Sequence, residues 1–405
     1  MAQFQGSIAQ VNVNFPIETL VEPIAGEQYS RAVIFMDVAL AAENLAGVTS
    51  PTAGQKVELD SSGYATIVSG GLLGWVTPFF TLAQTAKLAI VLYDTDREET
   101  VTVEPQDTQD SQDETETEPA TPTTEIRTIS ATCPLSQAYE LYKTWGYFKF
   151  LYTTLDQYVT LQVALGTLCN PDPLYSAFWV GTSDTNILTE QGSALITSLK
   201  NEKINARVVY NPDSTINAAL AQLGDSLATV NSTGTPIGND TDYHAFAGIG
   251  ASGSLVNNER TNLTSTEKAK LDELHVGYNT WVGDGTENVV TEGSLTLQGE
   301  SVGANWVKHY IEYRCKVLCA NYLTRRNIYR NNTAYQAILT IPASEAKQFV
   351  DLGRLADFVI TAPPFKQLSK SADSFTVANA WQAYYVDKAR YVTVYGTLYV
   401  TQASR

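Results

Sequence analysis

Short apolar runs alternate with helical patterns through the middle of this sequence, and that alternation restricts the fold more than any other feature. Residues 147–152, 175–180 and 206–210 are apolar, β-branched and aromatic, which is typical of buried strands. Helices are predicted between and after these runs, at residues 157–168, 191–200 and 215–227. Strands and helices that alternate at this spacing favour an α/β fold with a mainly parallel sheet flanked by helices.

The pattern extends toward both ends of the chain. Apolar runs at residues 31–38 and 88–93 predict two more buried strands, and residues 71–87 and 134–145 predict helices, with Pro78 at a helix boundary. The C-terminal third predicts helices at 264–274, 303–323 and 343–355, the last beginning after Pro342, and strands at 275–282, 289–297 and 357–361. Residues 380–386 and 391–400 then predict a closing pair of strands.

An acidic segment interrupts the first part of the chain. Residues 94–118 contain eleven acidic residues and one Arg, a net charge of −10 out of −17 for all 405 residues. Thr, Gln and Pro make up most of the remainder, so residues 94–125 predict a disordered insertion. An acidic recruitment segment is the alternative interpretation.

Both ends of the chain carry a strand pattern with no obvious partner nearby in sequence. Apolar residues alternate with Asn near the N-terminus, and a long β-branched and aromatic run stands near the C-terminus. A terminal strand either closes its own sheet or pairs with another subunit. The candidate inter-subunit strand residues are Val11, Val13, Phe15, Tyr391, Val392, Val394, Leu398 and Val400.

Composition excludes several classes of protein. Lys and Arg total 26 against 43 Asp and Glu, which argues against a nucleic-acid binder. No apolar run reaches the length of about 18 residues that a membrane span needs, and no signal peptide is recognisable. Four cysteines do not form a disulfide framework in so long a chain, so we expect synthesis in the cytoplasm.

Motifs for catalysis or cofactor binding are weak. Residues 248–253 spell G-x-G-x-x-G, but no convincing helix follows, which favours a flexible loop over a dinucleotide site. Cys315 and Cys319 share a helix face, but four ligands are needed for structural zinc, so buried core thiols are favoured. The sequence therefore predicts no enzyme, no cofactor and no metal site.

One local feature opposes the overall charge. Between residues 308 and 330 the only acidic residue is Glu312, while six residues are basic: Lys308, Arg314, Lys316, Arg325, Arg326 and Arg330. Such a basic face is a candidate contact with a tube or a neighbouring subunit, through electrostatic complementarity. An ordinary solvated helix face with cations near its C-terminus is the alternative.

Taken in order, four features of the sequence resemble the tail sheath proteins of contractile bacteriophages. They are an extended N-terminal arm followed by AVIFMD, a strand–helix region containing YSAFWVGTSD, the segment GSLTLQGESVGANWVKHYIEYRCKVLCANYL, and the ending WQAYYVDKARYVTVYGTLYV. The acidic segment is a departure from the pattern. The resemblance divides the chain into an arm at 1–28, an α/β region at 29–260, an α/β assembly domain at 261–389 and an arm strand at 390–405.

The resemblance implies a structural subunit of the virion that is assembled in the host cytoplasm. Such subunits form stacked hexameric rings around a tail tube, exchange β-strands with their neighbours, and contract to drive the tube through the host envelope. The implied partners are further copies of the chain, the tube protein, and baseplate and tail terminator proteins, without nucleic acid or membrane insertion. The alternatives are a carbohydrate-active enzyme or carbohydrate-binding module, in which aromatic residues would stack on sugars, and another virion protein from the tube or baseplate.

Overall fold

A computed structural model describes residues 27–103, 123–153, 158–228, 249–253, 255–256, 259–281, 289–325, 332–367, 369–370, 375–376 and 381–385. The strands are β1 Arg31–Asp37, β2 Lys56–Leu59, β3 Lys87–Tyr93, β4 Arg97–Val103, β5 Thr123–Ile129, β6 Phe148–Tyr152, β7 Ala177–Thr182, β8 Ala206–Tyr210, β9 Leu255–Val256, β10 Glu259–Arg260, β11 Val276–Trp281, β12 Val289–Glu292, β13 Leu355–Ile360, β14 Ser369–Lys370, β15 Phe375–Thr376 and β16 Trp381–Tyr385. The helices are α1 Ala41–Asn44, α2 Tyr64–Ile67, α3 Gly70–Leu82, α4 Leu135–Tyr142, α5 Tyr158–Cys169, α6 Ala194–Asn201, α7 Ala218–Ala228, α8 Ser265–Leu274, α9 Val302–Arg325 and α10 Asn332–Asp351.

An eight-stranded sheet in the order β12-β11-β8-β7-β6-β1-β3-β2 organises the fold. The strands from β11 to β3 in that order pair in parallel, and antiparallel strands β12 and β2 stand at the two edges. Helical connections between successive parallel strands are what a parallel sheet requires. The predicted α/β fold class is confirmed.

Alternate residues of the central strands face two separate hydrophobic cores. In β1, Ile34 and Met36 lie in one core, which includes residues of α3, α7 and α9. Val33 and Phe35 lie in the other core, together with residues of α4, α5, α6 and α8. Because both faces of β1 are covered, its sequence is continuously apolar instead of alternating.

Two prolines lie inside helices instead of bounding them as predicted. Pro78 is within α3, and Pro342 is within α10, which begins at Asn332. Proline removes one backbone hydrogen bond from a helix interior, but burial of the surrounding apolar side chains opposes this cost. Leu72, Val76, Phe79 and Phe80 are buried in α3, and Pro342 is itself buried in α10.

The acidic segment contains regular structure at both of its ends. Strands β4 and β5 pair antiparallel over seven residues each, from Arg97 opposite Ile129 to Val103 opposite Thr123. The prediction of a disordered insertion is therefore wrong for the residues of β4 and β5. Thr and Val are frequent in these strands, and their β-branched side chains favour extended backbone. Residues 104–122 lie outside the described residues.

The sheet also crosses the predicted domain boundary between residues 260 and 261. Strand β11 pairs in parallel with β8, and β12 extends the same sheet to Glu292. The predicted N-terminal arm ends before residue 28, since Gln28 and Tyr29 are buried and 1% and 0% exposed. Residues 1–26 and 386–405, which include both predicted arm strands, lie outside the described residues.

A small antiparallel sheet follows α10. Strand β13 pairs with β16, from Leu355 opposite Tyr385 to Ile360 opposite Trp381, with an irregularity after Leu355. Leu355, Trp381 and Ala383 belong to the same core as α9 and the large sheet. The predicted pairing of residues 380–386 with 391–400 is not seen among the described residues, where β16 pairs with β13 instead.

Candidate functional site

Helix α9 docks on the sheet through a cluster of aromatic side chains. The ring of Tyr29 lies 6.1 Å from that of Trp306, 5.5 Å from that of Tyr310 and 5.6 Å from that of Tyr313. Phe349 of α10 packs edge-on against Trp306 and Tyr310, at 6.1 and 5.6 Å. The cluster joins the N-terminal turn before β1, helix α9 and helix α10, and we call it the aromatic joint.

Hydrogen bonds orient the polar ends of these rings. The Tyr29 hydroxyl donates to the carbonyl oxygens of Leu174 and His309, at 2.7 and 2.9 Å. The indole nitrogen of Trp306 donates to the carbonyl oxygen of Tyr29 at 3.3 Å. Because buried polar groups are costly without partners, these bonds help to fix one arrangement of α9 on the sheet.

His309 and Tyr147 form a buried polar pair beside the joint. The Tyr147 hydroxyl lies 2.7 Å from Nδ1 of His309, and the two residues are 162 positions apart in sequence. Burial, with the charge of Lys308 second, lowers the pKa of His309 from its ordinary 6.5 to about 3. Burial raises the pKa of Tyr147. Both side chains are therefore neutral at physiological pH.

A cavity of about 540 Å³ lies between α9 and the sheet. Its lining includes Tyr147, Ala177 and Asn205, which stand before or at the start of β6, β7 and β8. The cavity thus opens at the amino ends of these strands. Parallel α/β sheets bind ligands outside the carboxyl ends of the strands, so the cavity is not where such a fold places an active site.

The residues singled out for other chemistry have structural positions. Cys315 and Cys319 are buried, and burial raises the pKa of both thiols, that of Cys319 to about 11. In the G-x-G-x-x-G segment, the Ser252 hydroxyl donates to the carbonyl oxygen of Tyr210 at 2.9 Å and accepts from the Asn279 amide at 2.9 Å. Across the described ranges, no three His, Cys, Asp or Glu side chains form a potential metal site.

The tryptophans near the cavity are core residues. Trp179, Trp306 and Trp381 are only 1–2% exposed, so they present no open ring face to a sugar. This arrangement gives no support to the carbohydrate-binding alternative. Among the helices that the structure describes, none combines the length and hydrophobicity needed to cross a lipid bilayer.

The predicted basic face is divided between different environments. Nε of Arg314 pairs with Glu345 of α10 at 3.2 Å, whereas Lys316 pairs with Glu312 on its own helix at 3.9 Å. Arg314 and Lys316 are two positions apart, which is about 200° around a helix, so they do not share a face. Lys308 lines the cavity. Arg325 ends α9, and Arg326 and Arg330 lie outside the described residues.

A surface that the sequence analysis did not single out lies on strand β13. Val359 and Ile360 are 40% and 38% exposed, although β13 belongs to a sheet. Within the described part of the chain, that sheet has two strands, so each strand has one edge without a ladder partner. Exposed apolar residues beside an open edge are typical of a surface that pairs with another strand.

Comparison with known proteins gives a result at the level of structure only. No family model matches the sequence, and no curated protein matches it. The helical sheath of the anti-feeding prophage (AFP) in the contracted state matches with a TM-score of 0.57 and 10% identity, over 95% of this chain and 99% of that one. A chain of the AFP baseplate, 6-fold symmetrised, matches with a TM-score of 0.56 and 9% identity, over 92% and 94%.

A third structure extends the likeness beyond one particle. The PVC sheath complex of an extracellular contractile injection system, in the contracted state, matches with a TM-score of 0.50 and 11% identity, over 98% of this chain and 96% of that one. At such identities the shared property is the fold. The predicted resemblance to sheath proteins is confirmed at this level: the chain has the fold of the sheath proteins of contractile injection systems.

Proposed function

We propose that this chain is the sheath subunit of a contractile tail or phage-like injection particle. The observation that carries the proposal is the match to the AFP sheath over 95% of this chain and 99% of that one. A match to nearly all of both chains relates whole subunits and not a shared building block. The position of the cavity, away from the carboxyl ends of the strands, also favours a structural role over catalysis.

In this proposal the subunits form stacked hexameric rings around a tube and are linked by strand exchange. A 6-fold symmetrised assembly among the structural neighbours supports the ring symmetry. The exposed apolar residues Val359 and Ile360 support β13 and β16 as the sheet that receives strands from neighbouring subunits. Residues 11–15 and 391–400 are the proposed donors. Main-chain pairing keeps subunits connected while they change orientation during contraction.

Deletion of residues 391–405 tests whether the C-terminal strand is donated. We expect the shortened chain to keep the melting temperature of the full chain and to form no rings or tubes in negative-stain electron microscopy. The full-length chain, purified in the same way, should form them. An unfolded deletion variant would instead show that the strand closes its own sheet. A full-length chain that stays monomeric at high concentration would contradict the sheath proposal itself.

The tube, the baseplate and the tail terminator are the proposed partners, and assembly takes place in the host cytoplasm. Lys308, Arg325, Arg326 and Arg330 remain the proposed basic contacts with the tube, since Arg314 and Lys316 already pair with Glu345 and Glu312. Reversal of the three arginine charges to Glu should abolish copurification of the tube protein while tubes of the sheath chain still form. Unchanged copurification would exclude these arginines from the contact.

A further inference from the structure

The cavity between α9 and the sheet is positively charged in a chain that is otherwise acidic. Lys203, Arg207 and Lys308 line it, and Glu300 is the single carboxylate among its described lining residues. The net charge of the whole chain is −17, so this local excess of cations is opposite in sign to the molecule. A concave site lined by one sign of charge concentrates ions of the opposite sign.

Arg207 provides a fixed charge on the inner wall. It is 1% exposed, and it donates from Nη1 to the carbonyl oxygen of Leu295 and from Nη2 to the side-chain oxygen of Gln222, both at 3.2 Å. Neither acceptor carries a formal charge, so these two bonds hold the guanidinium in place without cancelling its charge. Such a preorganised guanidinium suits phosphate and carboxylate groups.

Lys203 stands at the rim of the cavity in an unusual backbone conformation. Its φ angle is +52°, a left-handed value that side chains other than Gly and Asn rarely adopt. The position directly follows α6, where glycine would be adopted at lower cost. A lysine kept there at a cost of about 1 kcal/mol is consistent with a role for its side chain.

Lys308 faces the same cavity from α9. Its charge contributes to the lowered pKa of neighbouring His309, which reports a positive potential at this wall. Glu300 opposes this potential only at the exposed rim. There its carboxylate accepts hydrogen bonds from Asn205 at 2.6 Å and Asn305 at 2.8 Å, and these bonds occupy one of its oxygens.

We propose that this cavity binds a small organic anion that carries two or more phosphate or carboxylate groups. Its volume of about 540 Å³ is within the range of sites for small molecules. The ligand would contact Lys203 and Arg207 on the sheet side and Lys308 on α9. It would therefore link the sheet to α9 and stabilise the folded chain by mass action.

Binding is tested on the full-length chain by isothermal titration calorimetry and thermal unfolding, with pyrophosphate and citrate as probes. Sodium chloride at matched ionic strength controls for general screening. We expect saturable binding of at least one probe and a melting temperature that rises with its concentration. Lys203→Gln and Lys308→Gln should each weaken binding by about tenfold, the loss of one hydrogen bond to a charged group.

Lys87→Gln is the matched control, because Lys87 is an exposed lysine at the start of β3 and does not line the cavity. This variant should bind as tightly as the wild-type chain. Absence of saturable binding of either probe, or an equal loss of affinity in Lys87→Gln, would overturn the proposal. The measurement requires no assembled rings, so its failure leaves the proposed sheath function standing, and failure of assembly leaves the anion site standing.

Discussion

His309 lies where α9 meets the sheet, and its Nδ1 atom is 2.7 Å from the Tyr147 hydroxyl. Its pKa is about 3 in the folded chain and 6.5 ordinarily, so the unfolded chain binds more protons between these values. Stability is therefore complete above pH 6.5 and is lost as the pH falls toward 3, by up to about 1.4 kcal/mol per pH unit. Urea unfolding at several pH values between 7.5 and 4 measures this slope.

Two variants separate the charge of His309 from its hydrogen bond. His309→Gln should lose about 1–3 kcal/mol at pH 7.5 but show a shallower decline in acid, since no imidazole remains to be protonated. Tyr147→Phe should lose about 1 kcal/mol and keep the wild-type slope, because the imidazole stays buried. Equal slopes in the wild-type chain and His309→Gln would show that other groups dominate acid unfolding.

Gly277 allows the close approach of Arg207 to β11. A Cβ atom at this position would lie 2.3 Å from Nη2 and 2.7 Å from Cζ of Arg207. Gly277→Ala should therefore destabilise the fold by about 1–3 kcal/mol, because the buried guanidinium must move. Gly63→Ala is the control, since its nearest contact would be Oδ1 of Asp60 at 3.4 Å. Thermal unfolding of both variants should show a lower melting temperature for Gly277→Ala alone.

At the scale of helices and strands, local signals were sufficient for much of the fold. Helix α8 begins where Thr264 and Glu267 form a capping box, a signal contained within four residues. Strand β1 was predicted from its continuous apolar run. The helices that contain Pro78 and Pro342 were misplaced, because packing of their buried residues outweighs the local preference of proline.

The site depends on contacts that local signals do not contain. Tyr29 reaches His309 across 280 positions, and Arg207 donates to the Leu295 carbonyl across 88. No spacing rule relates such residues, so the sequence predicted neither the aromatic joint nor the cavity. It did predict the long helix that carries Trp306 and Lys308, because helical periodicity is a local property. The basic face failed in part because Glu345, the partner of Arg314, belongs to another helix.

Strand β13 carries the element-scale prediction for assembly. Val359→Asp should leave the melting temperature nearly unchanged, within about 0.5 kcal/mol, because the side chain is 40% exposed and outside the core. The same substitution should prevent tube formation in negative-stain images, because it places a charge in the proposed strand-receiving surface. Leu141→Asp is the matched control, since Leu141 is 57% exposed on α4, away from this sheet. Normal tubes from Val359→Asp would remove β13 from the proposed interface.

At the scale of the whole molecule, α9 and the small sheet are continuous with the large sheet. Residues of β1, β3, β6, α9, α10, β13 and β16 belong to a single hydrophobic core. A subunit with one core transmits force without separating into parts, which suits the proposed role in contraction. Movement between subunits would then be taken up by the terminal segments that connect them.

The net charge of −17 makes assembly a problem of like-charge repulsion. Raising salt from about 0.01 M to about 0.1 M shortens the Debye length from about 30 Å to about 10 Å. Tube formation, followed by light scattering, should therefore be faster at the higher salt concentration. A variant with Asn and Gln in place of Asp and Glu at residues 107–118 should assemble faster at low salt and respond less to added salt. Faster assembly of the wild-type chain at low salt would instead show that attraction between opposite charges, such as the basic residues near the end of α9, controls the contact between subunits.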